Sequence, residues 1–538
     1  MDRVGPPGRG SPAAPRLARR PQIRGSRGRG RGADARTGRR RTRAAHRRPG
    51  VVPPREGGGA LRASQRVPAR RGRPHHRPRA HLPGRGQGVP VTATASDRTT
   101  EARLRASGPW RNWGRTESSR PTFRASPTST AEVQALVRLA RERGLPLKVV
   151  GAGHSFTSIA ATDGILVDLD RMQGVRAVDA ATGRVTLAAG TRLHQLPELL
   201  APYGLALQNM GDIDRQSIAG ATSTGTHGTG GRFGGLATTI TGAVIVTGDG
   251  SILELDAATN ASLLPAVRLG LGALGVLVEL TIQCVPAYLL RAVEHPEPFA
   301  VIDEFAARVE TADHFELYWW PHTDRVMTKT NTRLPLEAGR APVGPVANWV
   351  EERLMSNGAL SLMCNIGHVL PAATPAINRF ATRVYGDREY VDHSYEVFTA
   401  PRNTRFREME YALPLEAVPA ALRELRAMIE DSGWRISFPV EVRAAAADDN
   451  WMSTAYGRET GYIAVHRYVR DDPERYFRAA EQIFLAHGGR PHWGKMHYLD
   501  HEEFAARYPR FGDFLGVRNR LDPDRVFQNP YLERVLGR

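Results

Sequence analysis

No aromatic residue occurs before Trp110 in this 538-residue chain. That absence, more than any motif, limits where a core can form. Residues 1–90 carry 25 Arg, no Lys and only three acids (Asp2, Asp34 and Glu56), a local net charge of +22. Arg, Pro and Gly in this proportion cannot bury enough apolar surface to offset the entropy of ordering, so a disordered extension over residues 1–105 is expected. The other 448 residues hold 49 bases and 52 acids, a net charge of −3, so the whole-chain +19 belongs to one end. Residues 110–538 are long enough for two or three domains with a large core.

Several function classes recede at once. An Arg-Gly arm can hold nucleic acid, but without interleaved aromatics there is nothing to stack bases, and no nucleic-acid partner is expected. Frequent Pro and Gly forbid the amphipathic helix of a transit peptide, and Arg19-Arg20 is followed by PQIRGSRGRG, not by an apolar stretch. The extension reads as an appendage, or as an upstream start assigned too early. The most apolar run, VRLGLGALGVLVEL at 267–280, is too short to span a bilayer and is broken by Arg268. Two cysteines, Cys284 and Cys364, exclude a disulfide framework and a cysteine-rich zinc site. A cytoplasmic protein without a membrane partner is expected.

Ser129 and Glu132 have capping-box spacing, followed by Val133, Leu136, Val137 and Ala140 at helical spacing and by Gly144 as a stop. Strands are expected at Leu147–Val150, Gly164–Asp170 and in RVTLAAG, with a helix around LHQLPELL. Beyond about residue 287 come Phe315–Trp320, Ile436–Val442 and Gly461–Tyr468, which read as strands, separated by longer helical stretches. One of these opens at Asp472-Pro473 and closes at Gly488-Gly489. The pattern predicts an α+β chain whose second half is built on an antiparallel sheet.

Four segments carry candidate chemistry. Gly151-Ala152-Gly153-His154-Ser155 ends a strand, where small residues let backbone N–H groups approach a phosphate; a tight turn with an exposed His is the plain alternative. It is not a dinucleotide fingerprint, because the third glycine would fall at Phe156. Gly220–Gly230, preceded by GDIDRQSIA, packs glycines and hydroxyls into a donor-rich loop. In SFPVEVR, period-two geometry puts Glu441 and Arg443 on one face, opposite Phe438, Val440 and Val442. In His492-Trp493-Gly494-Lys495-Met496-His497, the lysine is a pocket cation or a loop charge. The two histidines do not share a helix face, so no metal site is expected.

Taken together, the chain resembles the sugar-1,4-lactone oxidoreductases of the vanillyl-alcohol oxidase superfamily, with alditol oxidases as close relatives. The resemblance runs from Trp110 to the C-terminus through VVGAGHSFTSIAATDGILVDLDRM, GDIDRQSIAGATSTGTHGTG, LGALGVLVELTIQCVP, FPVEVR, RPHWGKMH and LDPDRVFQNPYL. It implies a two-subdomain PCMH-type FAD-binding domain over 110–287, a substrate-binding cap domain over 288–505, and a segment 506–538 returning to the FAD site. In the family the stretch matching Gly151, Ala152, Gly153, His154 and Ser155 wraps the FAD pyrophosphate, and the histidine matching His154 bonds the flavin covalently. The stretch from Ser217 onward lines the rest of the cofactor, which implicates Gly220, Thr222, Ser223, Gly225, Thr226, His227 and Gly228.

The resemblance further implies catalytic roles for Glu441, Arg443, His466 and Lys495. His466 or Glu441 accepts a substrate hydroxyl proton as hydride passes to flavin N5, while Arg443 and Lys495 stabilise developing negative charge. The partners are an uncharged sugar lactone and oxygen or another electron acceptor; Gly211 lies where related enzymes vary oxygen access. Two other functions are separable by experiment: an alditol or sugar oxidase using the same residues, and a nucleic-acid-binding protein whose flavin fold has lost catalysis. Deleting residues 1–100 is expected to leave flavin loading and turnover unchanged; a marked loss of either, measured on the truncated chain, would give the extension a role.

Overall fold

The computed structural model describes residues 104–344, 358–384, 386–400 and 404–538. The expected disordered extension lies outside the described residues, except for its last two positions. Arg105 there opens a two-residue strand, Arg105–Ala106, paired with Phe123–Ala125.

The first half holds two sheets. In a four-stranded sheet the order is Arg105–Ala106, Phe123–Ala125, Ile165–Asp168, Leu147–Val150, and the last three are parallel. The helix Thr130–Glu142 joins Phe123–Ala125 to Leu147–Val150, between which Ile165–Asp168 is later inserted, and buries Val133, Leu136, Val137 and Ala140. Ser129 accepts the Glu132 N–H as expected, but the Glu132 carboxylate turns to the N–H and hydroxyl of Thr128, so only half of the capping box forms. The second sheet is antiparallel, in the order Ile252–Leu255, Ile240–Val246, Val276–Gln283, Arg184–Ala188, Val175–Asp179. In Val276–Gln283, Val276, Val278, Leu280 and Ile282 are buried and their neighbours are less so, the alternation of a half-covered strand.

The second half is an eight-stranded antiparallel sheet. Its order is Arg388–His393, Leu289–Pro298, Arg325–Leu334, His314–Trp319, Val440–Ala445, Thr460–Tyr468, Phe406–Pro414, Arg490–Pro491. The helices Val418–Ser432 and Glu474–Ala486 cover one face with Leu422, Leu425, Phe477 and Phe484. Along Phe406–Pro414, Met409, Tyr411 and Leu413 enter this core, so Glu408 and Glu410 are directed to the opposite face. A mixed α+β architecture with a second, antiparallel half is therefore what the chain adopts.

Local departures have local causes. The expected strand at Ile436–Val442 begins only at Val440, after Pro439, and continues to Ala445; proline cannot donate to the ladder. The late helix starts at Glu474, not at Pro473, although Asp472 still accepts the Glu474 N–H at 3.0 Å. Part of the expected Gly220–Gly230 loop is helical, because Ser217 caps Ile218–Ser223 by accepting from Gly220 N–H.

The C-terminal segment closes against the first sheet. Leu147 N–H donates to Val526 O at 2.8 Å. The Asn529 amide donates to the carbonyls of Ser158, Ile159 and Ala161, while its oxygen caps Pro530–Leu536 through Leu532 N–H. Asn529→Ala is expected to cost about 2–4 kcal/mol, an N-cap plus stranded buried carbonyls. An unchanged denaturation midpoint would show that the segment is held otherwise.

Candidate active site

The end of strand Leu147–Val150 runs into Gly151–Ser155, which turns beside the Ser217 cap. Gly153 has φ +67°, a left-handed conformation that favours glycine, and a Cβ on Gly151 would overlap Ser217 Oγ. The close approach of these two segments leaves a cavity lined by Gly151 to Ser155, Ser217, Gly220, Ser223, Gly270–Leu271 and Phe527. Lys148 lies in its wall, 2 % exposed, and donates to Gly272 O and Phe527 O at 3.0 and 3.1 Å. Burial lowers its ammonium to about 7, Asp522 opposing and Arg518 assisting.

A second cavity shares His154, Ser155, Gln216 and Thr224 with the first, so the two meet at the turn. The charged face of the eight-stranded sheet lines it. Glu441 and Arg443, Glu408 and Glu410, and His466 all point into it, and Lys495 closes it from the loop after Arg490–Pro491. That loop is tied along the sheet edge: His492 N–H donates to Glu410 O at 3.0 Å, Met496 N–H to Glu408 O at 2.9 Å, and Phe156 N–H to Gly494 O at 2.6 Å. His154 stacks on Trp113, ring centroids 5.4 Å apart.

Burying so many ionisable groups requires pairing. Arg443 is 8 % exposed, ion-paired with Glu441, 2.9 Å from Glu316 and 3.7 Å from Asp212; against burial, these carboxylates push its guanidinium up. Lys495 pairs with Glu408, and Glu408 and Glu410 outweigh burial to raise the ammonium. Burial favours the neutral form of Glu408, yet Lys495 and His466 hold it below the ordinary carboxylate range; His227 and Lys495 do the same for Glu410. His466 Nε2 lies 3.6 Å from Glu408, and its Nδ1 is 3.0 Å from Pro439 O. Burial lowers His154, and lowers His492 to about 4, leaving both imidazoles neutral near pH 7.

Of the residues singled out in the sequence, the structure brings Gly151, Ala152, Gly153, His154, Ser155, Ser217, Gly220 and Ser223 to the first cavity. Thr226, His227, Glu441, Arg443, His466 and Lys495 meet at the second. Thr222, Gly225 and Gly228 line neither. The Thr222 hydroxyl is spent on Ile218 O and Ala219 O, Gly225 turns the chain at φ +84°, and Gly228 packs on Met210 and Asn209. Phe438 was expected behind Glu441, but it precedes the strand and joins the cavity wall. Sequence reasoning passed over Glu408, Glu410, Lys329 and Asp212 as site residues. The acid–apolar alternation of REMEYAL was the available signal for the first two. His492 was quoted but given no role. Its ring, His227 and Glu410 converge with their ligand-capable atoms within 4.8 Å of one another.

Comparison with known proteins fixes the family. Residues 280–535 match the D-arabinono-1,4-lactone oxidase family and residues 121–256 match the FAD binding domain family. The chain is 42% identical to an L-gulono-1,4-lactone dehydrogenase of Mycobacterium tuberculosis, over 80% of this chain and 99% of that one. It is 34% identical to an L-gulonolactone oxidase of Bos taurus, over 79% and 98%. In fold it is similar to a cholesterol oxidase from Brevibacterium sterolicum, with a TM-score of 0.66, 17% identity, and 80% and 96% of the two chains covered. The fold and the family matches are those of an FAD-dependent oxidoreductase. The chain belongs to the family of sugar-1,4-lactone oxidases and dehydrogenases.

The residues present fit FAD. The glycine turn and Ser217 cap clear a mainly apolar cavity with hydroxyls from Ser155, Ser217, Ser223 and Thr224 in its wall, and at His154 it meets the chamber that holds the charged groups. A ligand with one part against apolar walls and a ring presented to charged groups suits these two linings.

Proposed function

We propose that the protein oxidises a sugar-1,4-lactone of the D-arabinono or L-gulono type to an ascorbate-type product. The observation that carries this reading is the convergence of Glu441, Arg443, His466 and Lys495 on the chamber that meets the glycine turn. Bound FAD supplies the hydride-accepting chemistry. The chain's share is to bind, orient and move a proton. With Nδ1–H donating to Pro439 O, His466 Nε2 is the nitrogen that takes the substrate hydroxyl proton, and ionised Glu408 stabilises the resulting imidazolium. Arg443 and Lys495 offset negative charge that develops as the proton leaves.

Gly151 to Ser155, with Ser217, Gly220 and Ser223, hold the dinucleotide part of the cofactor in this reading, and Thr226 and His227 border its ring. The covalent attachment that the resemblance implies would fall on His154, whose neutral imidazole stands at the junction of the two cavities. Oxygen or another acceptor would reoxidise the flavin, and Gly211 lies in the chamber wall, packed close to the His227 carbonyl. A cytoplasmic setting goes with two buried, unpaired thiols, Cys284 and Cys364. Among the described residues no helix is long and apolar enough to cross a membrane.

The test is stopped-flow reduction of the bound flavin by arabinono-, gulono- and galactonolactones against xylitol and sorbitol, then reoxidation with and without oxygen. Rapid reduction by a lactone is expected; reduction by polyols alone would overturn the reading. Flavin fluorescence should stay with the denatured polypeptide on a gel, and its complete loss would exclude the His154 bond. Lys495→Met and Arg443→Ala should each lower turnover by about 10²-fold or more. A near-normal rate in either variant would remove that residue from the catalytic set.

A further inference from the structure

We propose that Glu408 is a positioning residue that locks Lys495 and His466 into one unit at the reacting end of the chamber, an inference that rests on the function proposed above. Antiparallel register sets Glu408 directly across from His466. One carboxylate oxygen pairs with the Lys495 ammonium, and the other lies 3.6 Å from His466 Nε2. The same residue holds the lysine loop by its backbone, accepting the Met496 N–H at 2.9 Å. Glu408 is 5 % exposed, and its core-facing neighbour Met409 fixes which way it points. A carboxylate serving only to neutralise Lys495 would not need its second oxygen at the proton-accepting nitrogen.

The consequence is that two groups on different segments act at a common distance. As His466 takes a proton, the charge it gains is met by a carboxylate already ionised, and the ammonium beside it stays in place. Other charged or titratable groups face Lys495: Glu410 on the same strand as Glu408, Asp212, His154, and His492 in its own loop. Glu410 still faces the ammonium when Glu408 is neutralised, so the lysine is expected to lose part of its stabilisation, not all.

The experiment uses the full-length flavin-loaded protein with Glu408→Gln, Glu408→Asp and the Glu408→Gln/Lys495→Met double variant. Glu408→Gln should lower kcat by about tenfold or more with KM changed less than about threefold, because Glu408 orders catalytic groups without binding substrate. The alkaline limb of its kcat profile should move to lower pH, since the Lys495 ammonium has lost a carboxylate. Glu408→Asp should recover part of both effects. The double variant should lose less than the product of the two single losses, because the part of the Glu408 effect carried through Lys495 is already gone, while the part carried through His466 remains. An unmoved alkaline limb with normal kcat, or additive losses in the double variant, would overturn the proposal. If Glu408→Gln does not load flavin, Glu408→Asp is read by the same profile, and wild-type behaviour there overturns it equally. A pH titration of the bound flavin's visible spectrum needs no substrate. A transition shifted by Glu408→Gln in a protein that no lactone reduces would sink the substrate reading alone, whereas an unshifted one would sink the role of Glu408.

Discussion

Arg443 sits in the middle of an eight-stranded sheet and is almost wholly buried, and the architecture around the chamber follows from how that charge is met. A guanidinium in such a place is tolerable only among carboxylates and hydrogen-bond acceptors. Glu441 on its own strand and Glu316 on the neighbouring strand supply the nearest two, with Asp212 reaching in from a loop. The strand order therefore carries chemical meaning. His314–Trp319, Val440–Ala445, Thr460–Tyr468 and Phe406–Pro414 lie side by side. Each contributes a charged, polar or titratable side chain to the chamber face and apolar ones to the helix-covered face.

The two halves of the chain depend on one another at the glycine turn. Gly151 and Gly153 let a strand end pass close to the Ser217 cap, and the same turn carries His154 and Ser155 to the edge of the chamber. Contacts from late in the sequence stabilise it: Phe156 N–H donates to Gly494 O, Lys148 Nζ to Phe527 O, and Asn529 to the carbonyls that follow the turn. A cofactor held there is gripped by segments nearly four hundred residues apart, so binding it and closing the fold are coupled.

Much of this could be read in the sequence where the signal is local. The strand at Leu147–Val150 and the helix opening after Ser129 came from spacing and caps, and both formed within a residue of expectation. Glu441 and Arg443 were legible as neighbours on one face, because period two is a property of the strand itself. Burial was not legible: strand charges look the same on paper whether they face water or a chamber. Glu408 and Glu410 were passed over for that reason, since their meaning depends on Lys495 arriving from a loop some ninety residues later. Phe438 was misjudged because alternation was extended through Pro439 into a stretch that is not strand. Thr222 and Gly228 came in with the resemblance, but in the helix capped by Ser217 the Thr222 hydroxyl bonds back to its own backbone. The other residue was drawn against Asn209.

The charge pattern of the chamber also narrows what it can admit. Its wall includes Asp212, Glu294, Glu408, Glu410 and Glu441 against Lys329, Arg443 and Lys495. The cations are already committed: Arg443 to Glu441, Lys495 to Glu408, and Lys329 to Val397 O with Glu316 nearby. An incoming carboxylate would have to be desolvated beside several ionised acids with its natural partners taken, a cost that a neutral ligand escapes. A lactone ring presents hydroxyls and an ester carbonyl, which such acids and cations can hydrogen-bond without displacing one another. Ring opening converts it to a sugar acid whose new charge meets like charge. A wall charged in this way disfavours an anionic ligand relative to a neutral one of the same shape, before any contact reads the stereochemistry of a ring.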